Sequence, residues 1–375
     1  MEKVKFKDIF SFEKKSKIKA GDGFKLGEGK YPFYTSSDTL SKTLNEFLFE
    51  KESLIFGTGG LASIHHSNDK FAVSTDCFVT QPKDLKYVYA KYVYFYLSGN
   101  MHLLENGFKG AGLKHISKGY IEDLEIPLPS LKIQQKITAI LDKADELRQY
   151  NKQLIEKYDA LTQSLFLDMF GDPVKNEKGW KMKYLGDLCD VGSSRRVFVD
   201  DLVEQGVPFY RGTEVGQMSL NDNIIPTLFI TEQHYEKLKI ETGVPKIGDL
   251  LMPSICPDGR IFEVTNNNPF YFKDGRVLWI KVNDKLINSV YLKKQLKAIF
   301  AIDYAKIASG TTFAELKIFA LKKINLHYPP IEVQNQFAER VQLIEHQKQQ
   351  AQEALAKSEL LFQGLLQQAF KGELN

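Results

Sequence analysis

The chain has 375 residues, a length that exceeds a single hydrophobic core and predicts two or three domains. Its 43% hydrophobic and 26% charged residues are typical of a soluble globular protein, and no apolar run is long enough for a membrane span or a secretion signal. The net charge of +3 is by itself a weak argument for nucleic-acid binding. The three cysteines have no CxxC spacing, so the reduced cytoplasm is the simplest location.

The first third of the chain is rich in aromatic and turn-forming residues and predicts a mixed α/β module. Ser53–Gly60 predicts a strand that ends in a glycine turn, and Phe71–Thr80 alternates as a strand does. Tyr87–Asn100 is aromatic on most faces and predicts a buried helix. Gly107–Ser117 predicts a glycine-rich polar loop, and residues 121–129 predict a strand that stops at prolines.

Two long helices are predicted 200 positions apart, over residues 134–170 and 334–370. Between 124–172 and its partner segment there are 8 identities in 49 pairs, without a gap, which indicates an internal repeat. The first helix predicts a coiled-coil seam with a polar Asn151 that sets the register, although a plain amphipathic helix on a globular core is the alternative. The predicted seam residues are Ile137, Ile140, Ala144, Leu147, Asn151, Leu154, Tyr158, Leu161 and Leu165.

The stretch between the helices repeats the plan of the first module with longer loops. Tyr184–Val191 parallels residues 5–12, Ile247–Val264 parallels 51–64, and Ser309–Lys317 parallels 110–118. The repeat unit is therefore a module followed by a helix, and the excess positive charge lies in the two modules. The chain is predicted to divide into four segments: 1–123, 124–172, 173–323 and 324–375.

Several fragments resemble catalytic motifs but lack a required residue. The glycine turn Phe56–Gly60 has no acidic residue at the distance that cofactor-binding folds require. Asn268–Phe270 lacks the second proline of amino-methyltransferases, and Asp258 with Glu263 lacks the lysine of a nuclease cluster. The histidines have neither HExxH nor Cys/His spacing, so no metal site is predicted. We therefore expect the chain itself to catalyse nothing.

The order of two modules and two long helices, together with four sequence segments, resembles a known family. The segments are IPLPSLKIQQKITAILDKADELRQ, MFGDPVKNEKGWKMKYLGDLCDV, YPPIEVQNQFAERV and LLQQAFKGEL. Together with the two modules they are similar to the specificity subunit of type I restriction-modification systems, over nearly the whole chain. Module one is about 30 residues shorter than module two, which leaves the contacts of each module undefined.

The resemblance implies an α+β fold with two mixed α/β target recognition domains, separated by two long antiparallel coiled-coil helices in a pseudo-twofold internal repeat. It implies double-stranded DNA as a partner, each domain reading one half of a bipartite site. Two methyltransferase subunits would dock on the helices, and restriction/translocase subunits would join them, with no membrane involved. S-adenosylmethionine, ATP and Mg would bind those subunits, with no cofactor on this chain.

A bipartite site requires two reading heads at a fixed spacing, and a stiff helical pair supplies this where a flexible linker would not. A helix of about 35 residues is a rod of roughly 50 Å, which corresponds to about one and a half turns of DNA.

Two alternatives stay open: a stand-alone DNA-binding protein, and a coiled-coil scaffold whose modules bind protein.

Polar loops at equivalent positions of the two modules are the predicted DNA contacts, because such loops reach base edges and phosphates. Arginines of module two join them, since guanidinium pairs bidentately with guanine or phosphate. The predicted residues of module one are Lys30, Tyr34, Thr58, Gly59, Lys109, Lys114 and His115. Those of module two are Arg195, Arg196, Arg211, Arg260, Ser309, Thr311 and Thr312.

Overall fold

A computed structural model of the chain describes residues 2–220, 224–310 and 314–374. It divides into two compact units, of which the first is Met1–Leu154 with Ala351–Asn375 and the second is Ile155–Gln350. Each unit contains one module together with a part of each long helix. The four-segment division of the sequence stays a prediction.

Module one is built from short strands and four short helices. The strands are β1 (Lys3–Lys5), β2 (Phe10–Phe12), β3 (Phe24–Lys25), β4 (Tyr31–Tyr34), β5 (Lys42–Leu44), β6 (Ser53–Gly57), β7 (Ile64–Ser67), β8 (Ala72–Val73), β9 (Cys77–Pro82), β10 (Phe108–Lys109), β11 (His115–Ile116) and β12 (Glu125–Pro127). The helices are α1 (Phe6–Ile9), α2 (Ala90–Gly99), α3 (His102–Glu105) and α4 (Lys118–Glu122), and the long helix α5 (Leu131–Phe170) follows.

Module two repeats this order with additional helices. Its strands are β13 (Lys181–Tyr184), β14 (Cys189–Gly192), β15 (Leu202–Val203), β16 (Val207–Tyr210), β17 (Phe229–Ile230), β18 (Leu250–Pro253), β19 (Phe262–Glu263), β20 (Tyr271–Phe272), β21 (Val277–Val282) and β22 (Asn325–Tyr328). Its helices are α6 (Leu185–Leu188), α7 (Gly212–Met218), α8 (Glu232–Glu241), α9 (Ser289–Ile307) and α10 (Ile318–Lys322), and the long helix α11 (Ile331–Lys371) follows.

The two modules have the same sheet topology, which confirms the predicted repeat. One four-stranded sheet has the order β2-β9-β6-β7 in module one and β14-β21-β18-β19 in module two. The other has the order β3-β5-β4-β8 and β15-β17-β16-β20, with the last pair parallel in both modules. A two-stranded pair closes each module, β1 with β12 and β13 with β22. The greater length of module two includes α7 and α8, which flank β17.

The strand predictions hold in part. The strand from Ser53 is confirmed, whereas the one predicted over Phe71–Thr80 is broken into β8 and β9. The break is a turn in which the amide of Cys77 donates to the carbonyl of Ser74. The predicted loop Gly107–Ser117 closes into the hairpin β10–β11, and the segment 121–129 begins in α4 before it becomes β12.

A buried glutamine anchors each long helix to its own module. The Gln134 side chain accepts a hydrogen bond from the amide of Tyr89 (2.9 Å) and donates to the carbonyl of Pro129 (2.8 Å). Gln334 does the same with the amide of Asn288 (2.9 Å) and the carbonyl of Pro329 (2.9 Å). These bonds fix the angle at which each helix leaves its module.

The long helices bury one stripe of residues, and the stripe recurs 200 positions on, with Ile137, Leu141, Thr162 and Phe166 of α5 matching buried positions of α11. Ile137, Ala144 and Asn151 of the predicted seam are buried. The prediction was wrong for Leu147 and Leu161, which are 45% and 49% exposed. The stripe follows the 3.6-residue period of a straight helix, so a strict heptad drifts off it.

Within each unit the two helical segments run antiparallel. In the first unit Asn151 contacts Ser358 (3.5 Å), and one turn earlier Arg148 lies over the ring of Phe362. In the second unit Lys348 pairs with Asp159 at 2.5 Å, and the ring of Phe166 packs on Phe337. Across the described residues, no helix has both the length and the apolar composition to cross a membrane.

Candidate nucleic-acid interface

In module one, three loops meet at the end of the central strand β6, a place we call the module-one junction. It is formed by Thr58, by Asp76 before β9, and by the hairpin that ends at His115. The amide of Thr58 donates to the carbonyl of Asp76 (2.9 Å), and the carbonyl of Thr58 accepts from the amide of Ile116 (3.2 Å). Lys109 pairs with His115 across the hairpin. The structure thus brings together residues that lie more than fifty positions apart.

Five of the seven predicted residues of module one lie at this junction. Gly59 bridges to His115, and a Cβ atom on Gly59 would stand 3.0 Å from the imidazole, so only glycine fits without a shift. Lys109, Lys114 and His115 are exposed, whereas Thr58 is buried and its hydroxyl donates to the carbonyl of Asp76. The two lysines therefore face solvent, whereas the imidazole of His115 is held at the junction by the contact of its Nδ1 with the carbonyl of Thr58 (3.0 Å).

A groove of about 500 Å³ opens beside the module-one junction. Its wall includes Lys114 and the acidic side chains of Asp38 and Glu105, together with the exposed Leu61. The mixed charge and the open shape suit a surface groove rather than an enclosed small-molecule site.

Lys30 immediately precedes β4 and Tyr34 ends it, and Tyr34 contacts the turn that leads to the junction. The carbonyl of Tyr34 accepts from the amide of Ser74, in the turn that leads to Asp76. Burial raises the pKa of Tyr34, so its phenol stays neutral. The ammonium of Lys30 lies 5.2 Å from the ring of Tyr31 and is exposed.

Module two has an equivalent junction at the end of β18, which we call the module-two junction. The amide of Ser254 donates to the carbonyl of Arg276 (2.9 Å), and its carbonyl accepts from the amide of Leu316 (2.7 Å). Ser309 and Glu315 exchange two backbone hydrogen bonds, as a hairpin pair does. Thr311 and Thr312, which were predicted contacts, lie outside the described residues.

The arginines of module two are linked to this junction by shared neighbours. Arg211 precedes α7, whose first residue Gly212 lies against the carbonyl of Arg276, and Arg260 lies against Gly216 of the same helix. Arg196 pairs with Asp274, two residues before Arg276. Five of the seven arginines of the chain are in this module. The structure gathers them around one end of its sheets.

All five of these arginines lie near a carboxylate, Arg276 at 3.8 Å from Glu315 and the other four at 3.2 Å or less. The four shorter ion pairs are Arg195–Glu241 (3.2 Å), Arg196–Asp274 (3.0 Å), Arg211–Glu214 (2.6 Å) and Arg260–Asp258 (2.9 Å). Arg195, Arg196 and Arg211 are exposed, and exposed ion pairs stabilise a fold by less than about 1 kcal/mol. Such pairs can therefore exchange a carboxylate for a phosphate or a base edge at little cost.

The sequence reasoning missed three charged residues at the junctions: Asp76, Arg276 and Glu315. The hydrogen bond from Lys317 holds the pKa of Glu315 below its usual range, with smaller contributions from Ser254 and Arg276, so this carboxyl is ionised. The 200-residue offset could have found Glu315, because it places Glu315 opposite the predicted His115, whereas Arg276 lies opposite Asp76, which was not predicted.

The described residues contain no group of His, Cys, Asp and Glu side chains that could hold a metal ion. The three cysteines are buried and unpaired, and burial raises the pKa of Cys77 and Cys189 to about 11 and that of Cys256 to about 12. These thiols are packed as small apolar side chains.

Both modules match a known domain family. The family model of the type I restriction modification DNA specificity domain matches the chain twice, over residues 1–157 and 177–355. The chain belongs to this family. The two matches contain the two modules, so each module with its helix start is one specificity domain. The resemblance seen in the sequence is confirmed.

Relatives of this specificity-subunit family align along most of the chain. A putative type I restriction enzyme specificity subunit of Haemophilus influenzae is 24% identical over 82% of this chain and 78% of its own length. A type I restriction enzyme specificity subunit of Methanocaldococcus jannaschii is 23% identical over 85% of this chain and 80% of its own length.

Solved structures share the fold of this specificity subunit. A type I restriction-modification S subunit of M. genitalium has a TM-score of 0.64 and 17% identity, covering 98% of this chain and 95% of its own. A chain in a solved structure that concerns complex assembly and conformational transition of the type I R-M system has a TM-score of 0.55 and 16% identity. The match covers 99% of this chain and 98% of that chain. The α+β architecture of two recognition modules and two long helices is therefore that of the family.

Proposed function

We propose that this chain is the DNA sequence-recognition subunit of a type I restriction-modification complex, in which each module reads one half of a bipartite site. One observation carries the proposal: the same junction of three loops is built twice, and its exposed side chains differ between the modules. A repeated scaffold with different polar side chains is what two different half-sites require. The family match supports the same reading.

Docking of two methyltransferase subunits, and of restriction/translocase subunits, belongs to the proposal. Support comes from large apolar side chains that the long helices leave in solvent, since such patches are typical of protein interfaces. In the first unit these include Leu147, Tyr150, Leu360 and Leu361. In the second unit they are Leu161, Leu167 and Leu343. Leu161 and Leu361 are equivalent in the repeat, as two copies of one partner would require.

Catalysis is assigned to the partner subunits, in the cytoplasm. Methyl transfer with S-adenosylmethionine, and ATP- and Mg-dependent steps, would take place there, while this chain is non-catalytic and supplies the choice of sequence. Support comes from the family description, which names a specificity domain.

The proposal is tested by co-expressing the chain with the methyltransferase subunits of the same system and measuring DNA binding across salt concentrations. We expect co-purification and an affinity that falls steeply with salt, because phosphate contacts release counterions. DNA binding without capture of a methyltransferase subunit would favour the stand-alone alternative. Absence of DNA affinity in the assembled complex would favour the protein scaffold. Methylation or cleavage by the pure chain would contradict the assignment of catalysis to the partners.

A further inference from the structure

The two junctions share their main-chain contacts and differ in their side chains. Asp76 and Arg276 accept the equivalent amide hydrogen bond through their carbonyl oxygens, and His115 and Glu315 occupy the equivalent hairpin position. The side-chain contacts differ between the modules: Nδ1 of His115 lies 3.0 Å from the carbonyl oxygen of Thr58, whereas the carboxylate of Glu315 accepts hydrogen bonds from Ser254 and Lys317. The same main-chain scaffold therefore accepts different side chains at these positions. At the first position module one has the acid Asp76 where module two has the base Arg276, and at the second it has the imidazole of His115 where module two has the carboxylate of Glu315.

Arg276 is the least constrained arginine of module two. Its guanidinium lies 3.8 Å from Glu315, whereas the other four arginines lie 2.6–3.2 Å from their carboxylates. The side chain of Arg276 is 66% exposed. Its main chain is nevertheless held at the junction, since its carbonyl accepts from Ser254. Recognition of a base edge needs a guanidinium group that is free to form hydrogen bonds, on a main chain that is held in place.

The ion pair between Arg276 and Glu315 can open without leaving the Glu315 carboxylate unpaired. Glu315 also accepts a hydrogen bond from the ammonium of Lys317 at 2.5 Å. When Arg276 turns towards a ligand, Glu315 therefore keeps a cationic partner and is not left as an uncompensated charge. In the free protein the same contact holds the guanidinium near the hairpin, which limits its disorder.

We propose that positions 76 and 115 of module one, and 276 and 315 of module two, determine which bases each module reads, and that Arg276 reads a guanine. The inference rests on the proposed function and deepens it. The guanidinium fork of Arg276 donates two hydrogen bonds to O6 and N7 of guanine in the major groove. Asp76 is an acceptor only, which suits the amino group of cytosine, so the two modules read different half-sites.

The test uses the whole complex of this chain with its methyltransferase subunits, and duplexes that carry every single-base change in the site that the wild-type complex methylates. In the variant Arg276→Ala we expect discrimination at one G·C pair of one half-site to fall by roughly 10- to 100-fold. Preference at the other half-site should be unchanged, which gives a control within the same molecule. Arg276→Lys should lose the same discrimination while it keeps the salt dependence of the wild type, because it retains the charge without the fork.

The outcomes separate this inference from the proposed function. If the wild-type complex has no sequence preference, the proposed function fails. If the wild type discriminates and Arg276→Ala discriminates equally well at every position, the assignment of Arg276 is overturned. A uniform loss of affinity for all sequences, with a shallower salt dependence, would make Arg276 a phosphate contact and would also overturn it. Thermal unfolding of both variants checks that module two is still folded.

Discussion

The buried glutamines show how single side chains place the elements of this protein. Gln134 and Gln334 are fully buried, and each uses both ends of its amide on main-chain groups of its own module. A buried polar group that loses its partner costs about 1–3 kcal/mol, so these positions are sensitive. The same residue type occurs at both positions because both side chains make the same two hydrogen bonds to the main chain.

We expect Gln334→Ala to lower the free energy of unfolding of the second unit by about 1–3 kcal/mol, because it leaves the amide of Asn288 without its acceptor. Gln336→Ala is the matched control: Gln336 is exposed on the same helix, and its loss should change stability by less than about 0.5 kcal/mol. Urea denaturation measures both. Equal stability of the two variants would contradict the role of Gln334 as an anchor.

Lys297 makes the stability of the second unit depend on pH. Burial, with smaller contributions from the nearby Lys293, Lys294 and Lys348, lowers the pKa of Lys297 to about 8, whereas Glu345 opposes this shift. The unfolded chain has the ordinary lysine pKa of 10.5 and binds more protons between these values. Stability of the second unit should therefore rise as pH increases from about 8 to 10.5.

The matching substitution is Lys297→Met, which removes the charge and keeps an apolar chain of similar length. We expect it to raise the free energy of unfolding at pH 7 by about 1 kcal/mol and to flatten the rise above pH 8. Lys285→Met, at an exposed position of the same module, should leave the pH profile unchanged. An unaltered profile in Lys297→Met would show that this ammonium is well solvated.

At the scale of elements, the ends of the long helices are held by aromatic clusters. In the second unit the ring of Phe166 lies 5.2 Å from Phe170, 6.0 Å from Tyr291 and 5.7 Å from Phe337. In the first unit Phe362 packs on Phe95 in the same manner. The clusters join each helix to α2 or α9, so the helices and the modules share one core in each unit.

Phe166→Ala should lower the free energy of unfolding of the second unit by about 3–5 kcal/mol, since it opens a cavity among four packed rings. Leu161→Ala, on the exposed side of the same helix, should cost less than about 0.5 kcal/mol. Circular dichroism during urea unfolding distinguishes the two. A large loss of stability in Leu161→Ala alone would support the heptad packing of Leu161 that the sequence predicted.

The sequence predicted the repeat, the long helices and the strand at Ser53 because their apolar patterns are local. It placed Leu147 and Leu161 wrongly because a heptad assumes a supercoil, whereas the observed stripe follows a straight helix. It also missed Asp76, Arg276 and Glu315, since their importance comes from loops that are distant in sequence and meet only in the fold. Their side chains carry no local pattern, and only the 200-residue offset connects them.

At the scale of the whole molecule, each module is expected to read its half-site independently of the other. We expect replacement of residues 1–123 by the equivalent module of another specificity subunit to change one half-site and to keep the other. The sheets of module one, and the core that module one shares with the long helices, contain no residue of module two, so the exchange removes no contact within module two. Methylation patterns of the hybrid complex give the result, and a change in both half-sites would refute this independence.

The most direct test of the central claim is sequencing of methylated sites in cells that carry this chain with its methyltransferase subunits. We expect one methylated site made of two different short half-sites separated by a fixed number of unread base pairs, and we expect this methylation to be lost when the chain is deleted. A single uninterrupted site, or methylation that persists unchanged without this chain, would contradict it.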